Sequence, residues 1–577
     1  MTKNQTELKD VIESLNGYIK YALIFSIILG LISLAPVIYM KNIYGPVVNS
    51  RSEYTLGMVT ILLVGMLLLS GSLEWLRTKI MIKAEKEFVN KLSIRIYEAA
   101  FQSYLRTRNP NARRVMQDFK VVRTFISSPL IMALMDAPIG LLFLLIIMYI
   151  HPKMGYASIA AAALMLIITM KNEKKVKPLI EESNSLYAQS QLYIADSISN
   201  AQTVQAMGML ESLKEKWKKI YEQHMEKMSV ATENQVGTGS ISKFVMLLQG
   251  SMVLGIGCWL TLEGSLPPDG GIMIIASILG GKALQPLMRL IGGWKTIFTT
   301  KESYKNLEEF LESNQLAKTA MQLPPPLGNL DIENLIARPP GSKNMVINGM
   351  SFSLKQGRSL AIIGPSGSGK SSLTKLLVGV WPPMAGSVRL DGADVFTWDK
   401  KKLGNYIGYL PQEMEMIGGT IAENICRFGF IKQSEIEKAT QIVGLHDYII
   451  SLKNGYETIL TEENGLFSGG QMQKLGLARA IYGEPKLVVL DEPNSNMDEK
   501  GEKALYQTLA YLKSKGTTVV LVTHRPEILN HVDRILVIAE GKPKLYGPKD
   551  EILQKLAGKH LKTVSPEEAQ KYKKPLI

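Results

Sequence analysis

The stretch GPSGSGKS at residues 364–371 decides the fold of the C-terminal half of the chain. It follows the apolar run SLAII (359–363) and precedes the helical pattern SSLTKLLVG (371–379). In this strand–loop–helix setting, G-x-x-x-x-G-K-[ST] is a phosphate-binding loop, whose backbone N–H groups and helix dipole attract phosphate oxygens. The predicted nucleotide ligands here are Gly364, Pro365, Ser366, Gly367, Ser368, Gly369, Lys370, Ser371 and Ser372. Lys370 is expected to reach the β- and γ-phosphates.

A second apolar run, LVVL (487–490), ends in Asp491 and Glu492. Taken alone, this is the pattern of a core strand followed by solvated carboxylates. Beside a phosphate-binding loop, Asp491 takes the position of an acid that holds Mg²⁺, and Glu492 that of a base that polarises water. We therefore predict Ser371, Asp491 and Gln412 as Mg²⁺ ligands.

Two neutral polar residues also follow strand-like runs. Gln412 comes after IGYLP and His524 ends VVLVTH. In isolation they are a surface amide and a strand-end histidine. Because a γ-phosphate site needs such groups, we predict Glu492, His524 and Gln412 as catalytic residues.

The motif FSGGQ (467–471) precedes the basic helical stretch MQKLGLARAI. Alone, Ser468 is only a helix N-cap residue. The phosphate loop, this motif, LVVLD and His524 follow one another within about 160 residues, and in this order residues 330–560 closely resemble the ATP-binding cassette (ABC) family.

The resemblance implies a nucleotide site shared by two cassettes that face head to tail. One cassette binds ATP·Mg²⁺, and the other caps the γ-phosphate with Ser468, Gly469, Gly470 and Gln471. Residues 494–498 (NSNMD) are then the loop that communicates across the dimer. One departure is that NLIARPPGSKNMVI (334–347) lacks the aromatic ring with which the family usually stacks adenine. Either Arg338 stacks in its place or adenine is held loosely.

The β-rich runs SLAIIG, LVVLD, TVVLVT and RILVIA alternate with helical stretches, which indicates an α/β domain with a largely parallel sheet. Before them come a charged helix, KESYKNLEEFLE (301–312), and QLPPPLGNL (322–330), where three prolines forbid a helix. We predict a cytosolic N-terminal segment at 1–20, a transmembrane domain at 21–313, a linker at 314–330 and a nucleotide-binding domain at 331–577.

Six apolar runs are each close to the length that crosses a bilayer. They lie near residues 21–46, 55–76, 129–150, 154–170, 244–262 and 271–293. The first twenty residues lack the apolar core of a signal peptide. The sequence thus predicts a multi-domain membrane protein, with a six-helix all-α transmembrane domain of ABC exporter type followed by an α/β P-loop cassette. One cassette with six spans is half an exporter, so the resemblance implies a homodimer.

Composition and charge placement fit this architecture. The chain has 577 residues, a net charge of +14 and two distant cysteines, which excludes a disulfide scaffold. Residues 77–128 hold twelve Lys or Arg against four acids, a net charge of +8. By the positive-inside rule this loop and both termini are cytosolic, and we expect association with anionic membrane lipid and no nucleic acid. We interpret both long loops as helix extensions, with RTRNPNARR (106–114) as one turn.

A more specific resemblance bears on the class of substrate that the transporter exports. The stretches at 378–399, 408–428 and 490–498, with QAMGML (205–210), look like type I secretion transporters of the PrtD protease-exporting kind. That family implies a bacterial inner-membrane ATPase that exports unfolded polypeptides with a C-terminal signal, through a periplasmic adaptor and an outer-membrane channel. The alternatives are export of lipid or small hydrophobic molecules, and a cassette that gates without turnover. Intact Glu492 and His524 argue against the last.

The sixth span carries Lys282, Gln285 and Arg289 on one helical face, beside Pro286. Lys282 lies roughly 16 Å along this helix, where a charge must be hydrated or paired. Two interpretations stay open. Lys282 pairs with Asp136 of the third span while Arg289 reaches out to the membrane surface, or the stripe lines a polar translocation path.

Overall fold

The structure is a computed structural model that describes residues 7–107, 111–266, 271–315, 323–460 and 467–563. It divides into two compact units, residues 1–101 with 110–315, and residues 102–109 with 316–577. The centre of the turn expected at 106–114 lies outside the described residues. So does part of the expected linker, residues 316–322.

In the described part of the first 313 residues, all regular secondary structure is helical. The helices are α1 (Glu7–Ser14), α2 (Asn16–Ile32), α3 (Ala35–Asn42), α4 (Val48–Ser50), α5 (Glu53–Thr107), α6 (Asn111–Ile126), α7 (Pro129–Ile150), α8 (Pro152–Ser199), α9 (Ala201–Ala206), α10 (Leu210–Leu262), α11 (Gly271–Gly292) and α12 (Trp294–Ser313). A short π-helix, Ile43–Val47, joins α3 to α4.

Six helical segments of the described chain are long and apolar enough to cross a membrane, which agrees with the six predicted spans. The first is broken at Ser33–Leu34, because Pro36, the second residue of α3, has no N–H to donate to a carbonyl oxygen of α2. The predicted extensions are present, since α5, α8 and α10 are 55, 48 and 53 residues long.

Small residues allow α7, α10 and α11 to pack closely. A Cβ added to Gly140 of α7 would lie 2.7 Å from the carbonyl oxygen of Ala283 in α11. Gly280 of α11 faces the buried Gln249 of α10, and Ala276 one turn earlier is fully buried. These two small residues, four positions apart, therefore allow close helix packing.

The pairing considered between Lys282 and Asp136 is wrong. Asp136 instead accepts a 2.6 Å hydrogen bond from Arg77 of α5, whose side chain is 4% exposed. Arg77 also donates to Ser26 of α2 at 2.8 Å. Arg289 lies 3.9 Å from Asp136, so it turns toward this carboxylate instead of reaching out to the membrane surface. The sequence does not reveal this pairing, because Arg77 is the first residue of a basic stretch whose other members belong to the predicted cytosolic loop.

The second unit alternates strands and helices. Its strands are β1 (Leu330–Ala337), β2 (Ile347–Leu354), β3 (Ser359–Ile363), β4 (Ala385–Leu390), β5 (Ala393–Asp394), β6 (Ile407–Leu410), β7 (Gly419–Thr420), β8 (Ile459–Leu460), β9 (Leu487–Asp491), β10 (Thr518–Val522), β11 (Arg534–Ala539) and β12 (Lys542–Pro548). Its helices are α13 (Lys370–Leu377), α14 (Lys400–Leu403), α15 (Ile421–Ile425), α16 (Gln433–Ile442), α17 (His446–Ser451), α18 (Gly469–Ile481), α19 (Glu499–Ser514) and α20 (Lys549–Thr563). Two 3₁₀ turns, Gly455–Glu457 and Pro526–His531, complete it.

The main sheet has the order β12-β11-β3-β10-β9-β6, and only β12 is antiparallel to its neighbour. A smaller antiparallel sheet has the order β2-β1-β4-β5. Alternate residues of β10 enter two different cores, Val519 and Leu521 on one side and Val520 and Val522 on the other. Both faces of the main sheet are therefore covered, which explains its uninterrupted apolar strands.

Candidate functional site

The site lies at the carboxyl ends of parallel strands β3, β6, β9 and β10. Residues 364–369 follow β3, Gln412 follows β6, and His524 follows β10. Because parallel strands end at the same edge of a sheet, the topology gathers residues that are distant in sequence.

The phosphate loop needs glycine at its junction with α13. Gly369 has φ 97, and a Cβ there would lie 2.8 Å from the carbonyl oxygen of Val346. Lys370 begins α13 and donates from Nζ to the carbonyl oxygens of Gly364 and Pro365, both at 2.9 Å. Burial lowers the pKa of Lys370, against the raising effect of the Glu492 and Asp491 carboxylates. The ammonium is thus held over the loop where phosphates would lie.

Asp491 ends β9 and is 1% exposed. Its carboxylate accepts hydrogen bonds from Ser371 Oγ at 3.2 Å and from Thr374 Oγ1 at 3.1 Å. Burial raises the pKa of Asp491, and the two hydroxyl donors oppose that rise. Thr374 was not among the predicted residues, although it follows Lys370 by four positions on the same face of α13.

Glu492 is held between two of the predicted catalytic side chains. Its Oε2 accepts from Gln412 Nε2 at 3.3 Å, and its Oε1 lies 3.3 Å from His524 Nε2. Its backbone is left-handed, with φ 49. Gln473 of α18, which sequence reasoning missed, donates to the Glu492 carbonyl oxygen at 2.9 Å. The structure therefore brings Gln412, Glu492 and His524 together.

Ser371, Asp491 and Gln412 offer only oxygen atoms to a cation. Ser371 Oγ lies 3.5 Å from Gln412 Oε1, and 3.2 Å from Asp491 Oδ1. Among the described residues, no cluster of three or more His, Cys, Asp or Glu side chains suits a metal. A hydroxyl, an amide and one carboxylate fit Mg²⁺, which keeps waters and substrate phosphates in its shell.

The SGGQ motif forms a separate corner of the unit. Ser468 caps α18 by accepting from the Gln471 N–H, and Gln471 Oε1 accepts from the Ser468 N–H. Gly470 packs against residues 496–497, since a Cβ there would lie 2.8 Å from the Asn496 carbonyl oxygen. In the part of the chain that the structure describes, no hydrogen bond joins Ser468 to residues 364–371. Among the described residues of one chain, Ser468 is therefore not joined to the phosphate loop by a direct hydrogen bond.

Comparison with known proteins identifies the architecture. Residues 347–495 match the family described as "ABC transporter", and residues 19–281 match "ABC transporter transmembrane region". The chain is 34% identical over 530 residues to the type I secretion system ATP-binding protein PrsD of Rhizobium meliloti (strain 1021), covering 92% of this chain and 91% of that protein. The chain belongs to the ABC transporter family.

Two further likenesses agree with this assignment. The leukotoxin translocation ATP-binding protein LktB of Mannheimia haemolytica is 26% identical over 547 residues, which are 93% of this chain and 76% of LktB. The solved structure of a bacterial Atm1-family ABC exporter with ATP bound has a TM-score of 0.82 at 19% identity, covering 96% of this chain and 99% of that one. The latter shows a shared fold only.

These findings confirm several predictions from the sequence. The chain is a multi-pass membrane protein of the ABC exporter fold, and its resemblance to type I secretion transporters is borne out. Its cassette binds nucleotide and is an ATPase coupled to transport.

Proposed function

We propose that this ABC transporter is an ATP-driven exporter of unfolded polypeptides in a type I secretion system. The observation that supports this most is the 34% identity to PrsD over 92% of the chain. The likeness to LktB, whose name describes leukotoxin translocation, points to the same class of cargo. The proposed location is the bacterial inner membrane, with the nucleotide-binding domain in the cytosol.

In the proposed mechanism, Glu492 is the general base of ATP hydrolysis. One carboxylate oxygen takes a proton from the attacking water, while Gln412 and His524 orient the carboxylate and the γ-phosphate. Lys370 and the loop amides stabilise charge on the β- and γ-phosphates. Mg²⁺, when held by Ser371, Asp491 and Gln412, would neutralise phosphate charge.

The proposed working unit is a homodimer. Ser468, Gly469, Gly470 and Gln471 of one protomer cap the γ-phosphate bound to its partner, which agrees with the separation of this motif from the phosphate loop. The other proposed partners are a periplasmic adaptor, an outer-membrane channel, a polypeptide with a C-terminal signal, and membrane lipid, but not nucleic acid. Arg338, which follows β1 and is exposed, is available to stack on adenine.

Export of lipid or small hydrophobic molecules is the second reading of the same fold. No relative named above supports it, and the Atm1-family likeness concerns the fold alone. A cassette that gates without turnover is also disfavoured, since Glu492 and His524 are in contact.

The proposal is tested by secretion from cells that carry the chain with an adaptor and an outer-membrane channel. An unfolded polypeptide with a C-terminal signal should reach the medium, and the same polypeptide without that signal should remain inside the cells. The matched control is Glu492→Gln, which should stop secretion without lowering the amount of transporter. ATPase activity that lipids stimulate and unfolded polypeptides do not would contradict the proposal.

A further inference from the structure

A polar cavity of about 180 Å³ lies among the transmembrane helices of the first unit. Helices α2, α5, α7 and α11 all contribute to its wall. Lys282 follows the start of α11 by about 16 Å at 1.5 Å per residue, which is near the middle of a bilayer core of about 30 Å. The ionisable residues in the wall are Glu74, Arg77, Asp136, Lys282 and Arg289.

Cations outnumber anions in this wall. The carboxylate of Asp136 already accepts a hydrogen bond from Arg77 at 2.6 Å, and Arg289 lies 3.9 Å from its other oxygen. Glu74 is exposed and lies one helical turn before Arg77. The three cations and two carboxylates leave one positive charge uncompensated.

Two donor groups in the wall also lack acceptors. Arg77 is 3% exposed, and its Nε has no hydrogen-bond partner. Lys282 makes no hydrogen bond or ion pair with any described residue, although it is only partly exposed. Such groups are costly to keep near the bilayer centre unless an acceptor or water reaches them. Water can satisfy a hydrogen-bond donor, but only an anion balances the excess positive charge of this wall, so the wall favours an anionic acceptor at Lys282.

We propose that this cavity binds carboxylate side chains of the polypeptide in transit, with Lys282 as the ligand. This inference rests on the proposed export function and adds a preference for acidic segments of the cargo. The depth of Lys282 favours a cargo side chain over a lipid headgroup, because headgroups lie at the bilayer surface. Charge-assisted hydrogen bonds to carboxylate are the strong ones, so the preference should be measurable.

The test uses the full-length transporter in nanodiscs of phosphatidylcholine and two fluorescein-labelled ten-residue peptides. One alternates Glu and Ser, and the other alternates Gln and Ser. We expect fluorescence anisotropy to show that the Glu peptide binds at least about tenfold more tightly than the Gln peptide. The reason is that one ion pair in a poorly hydrated site lowers Kd by about a factor of ten. Lys282→Gln should remove most of this ratio, and Lys282→Arg should retain it.

The matched control is Lys243→Gln, which removes an exposed lysine of α10 outside the cavity and should leave the ratio unchanged. Thermal unfolding distinguishes the loss of a ligand from a loss of folding. If Lys282→Gln unfolds near the wild-type temperature but no longer prefers the Glu peptide, the substitution has removed a ligand. Equal binding of both peptides, or a ratio unaffected by Lys282→Gln, would overturn the inference.

Failure of this inference is distinguishable from failure of the proposed function. Secretion of polypeptide by a transporter without a Glu-peptide preference overturns the cavity assignment alone. A Glu-peptide preference without any secretion overturns the export proposal and leaves only a carboxylate-binding site, without cargo in transit. If Lys282→Gln instead abolishes a response to phosphatidylglycerol and leaves peptide binding unchanged, the cavity is a lipid site and the inference is wrong.

Discussion

Glu492 combines an unfavourable backbone with a dense set of contacts. A left-handed conformation costs a non-glycine residue about 1–2 kcal/mol, and Glu492 adopts it at φ 49. Its N–H donates to the Val522 carbonyl at 3.1 Å, and its own carbonyl accepts from Gln473. These bonds fix the direction in which the side chain leaves β9, so the carboxylate meets Gln412 and His524.

At this residue we expect Glu492→Gln to preserve ATP binding and to lower turnover by about 10²–10⁴-fold, because the amide keeps the shape and cannot accept the proton. The measurement is steady-state ATPase activity beside nucleotide binding. Glu499→Gln, which removes an exposed carboxylate at the start of α19, is the control. Activity within a few-fold of wild type would rule out Glu492 as the base.

Glu484 predicts a pH dependence of stability. Hydrogen bonds from Lys438 at 2.6 Å and from Lys515 lower the pKa of Glu484 to about 2, from an ordinary value of 4.5. The stabilisation is therefore complete above pH 4.5 and is lost as the pH falls toward 2. Since the side chain is nearly half exposed, we expect Glu484→Gln to cost on the order of 1 kcal/mol or less at pH 7.

Denaturant unfolding followed by tryptophan fluorescence would measure this effect, because Trp381 and Trp398 are buried in the same unit. The difference between wild type and Glu484→Gln should shrink as the pH is lowered from 4.5 to 2. A constant difference across that range would show that the ion pairs do not set the stability.

How far the sequence predicts the site depends on how local each signal is. Lys370 and Ser371 belong to one contiguous motif, and Asp491 and Glu492 end an obvious strand, so each is found without coordinates. Gln473 cannot be found in this way, because its role depends on the approach of α18 to the turn after β9. The bond from Arg77 to Asp136 joins residues 59 positions apart on two spans, and hydropathy does not fix their relative depth.

At the scale of elements, backbone contact between α7 and α11 makes one glycine costly to replace. In Gly140→Ala the new Cβ would meet the Ala283 carbonyl oxygen at 2.7 Å, which only a shift of the helices can relieve. We expect a loss of about 1–3 kcal/mol, as for other overpacked sites. The readout is the Tm of the detergent-solubilised protein.

Gly281→Ala is the matched control, since a Cβ there has nothing within 4 Å. Alanine is the better helix former by about 1 kcal/mol, so this variant should unfold at the same or a higher temperature. Equal shifts in both variants would mean that helix propensity, and not packing, governs these positions.

The elements themselves were largely predictable, because membrane spans and buried parallel strands are the strongest apolar patterns in a sequence. The exceptions have local causes. The predicted first span, 21–46, contains a break before Pro36 and a π-helix at Ile43–Val47. The sequence predicts the helix extensions beyond the membrane but not where they end. Polar helical segments, such as the part of α10 outside the membrane, have no apolar run whose end would mark the end of the helix.

At the scale of the whole molecule, two inactivating substitutions can test whether each nucleotide site is shared between two protomers. If a site is built from the phosphate loop of one protomer and Ser468 of its partner, then Ser468→Arg in one protomer and Glu492→Gln in the other fall on the same site. The second site keeps an intact base and an intact cap. With both changes in one protomer beside a wild-type partner, each site carries one defect.

We therefore expect the mixed dimer with the changes on separate protomers to hydrolyse ATP at up to about half the wild-type rate if the sites act independently, and the dimer with both on one protomer to be nearly inactive. Two different affinity tags allow each mixed dimer to be purified before the ATPase assay. Sites contained within single chains predict the reverse, because a wild-type protomer would then stay active whatever its partner carries. In the described part of the chain, the hydrogen bonds of Ser468 stay within its own helix and none reaches residues 364–371, which favours the first outcome.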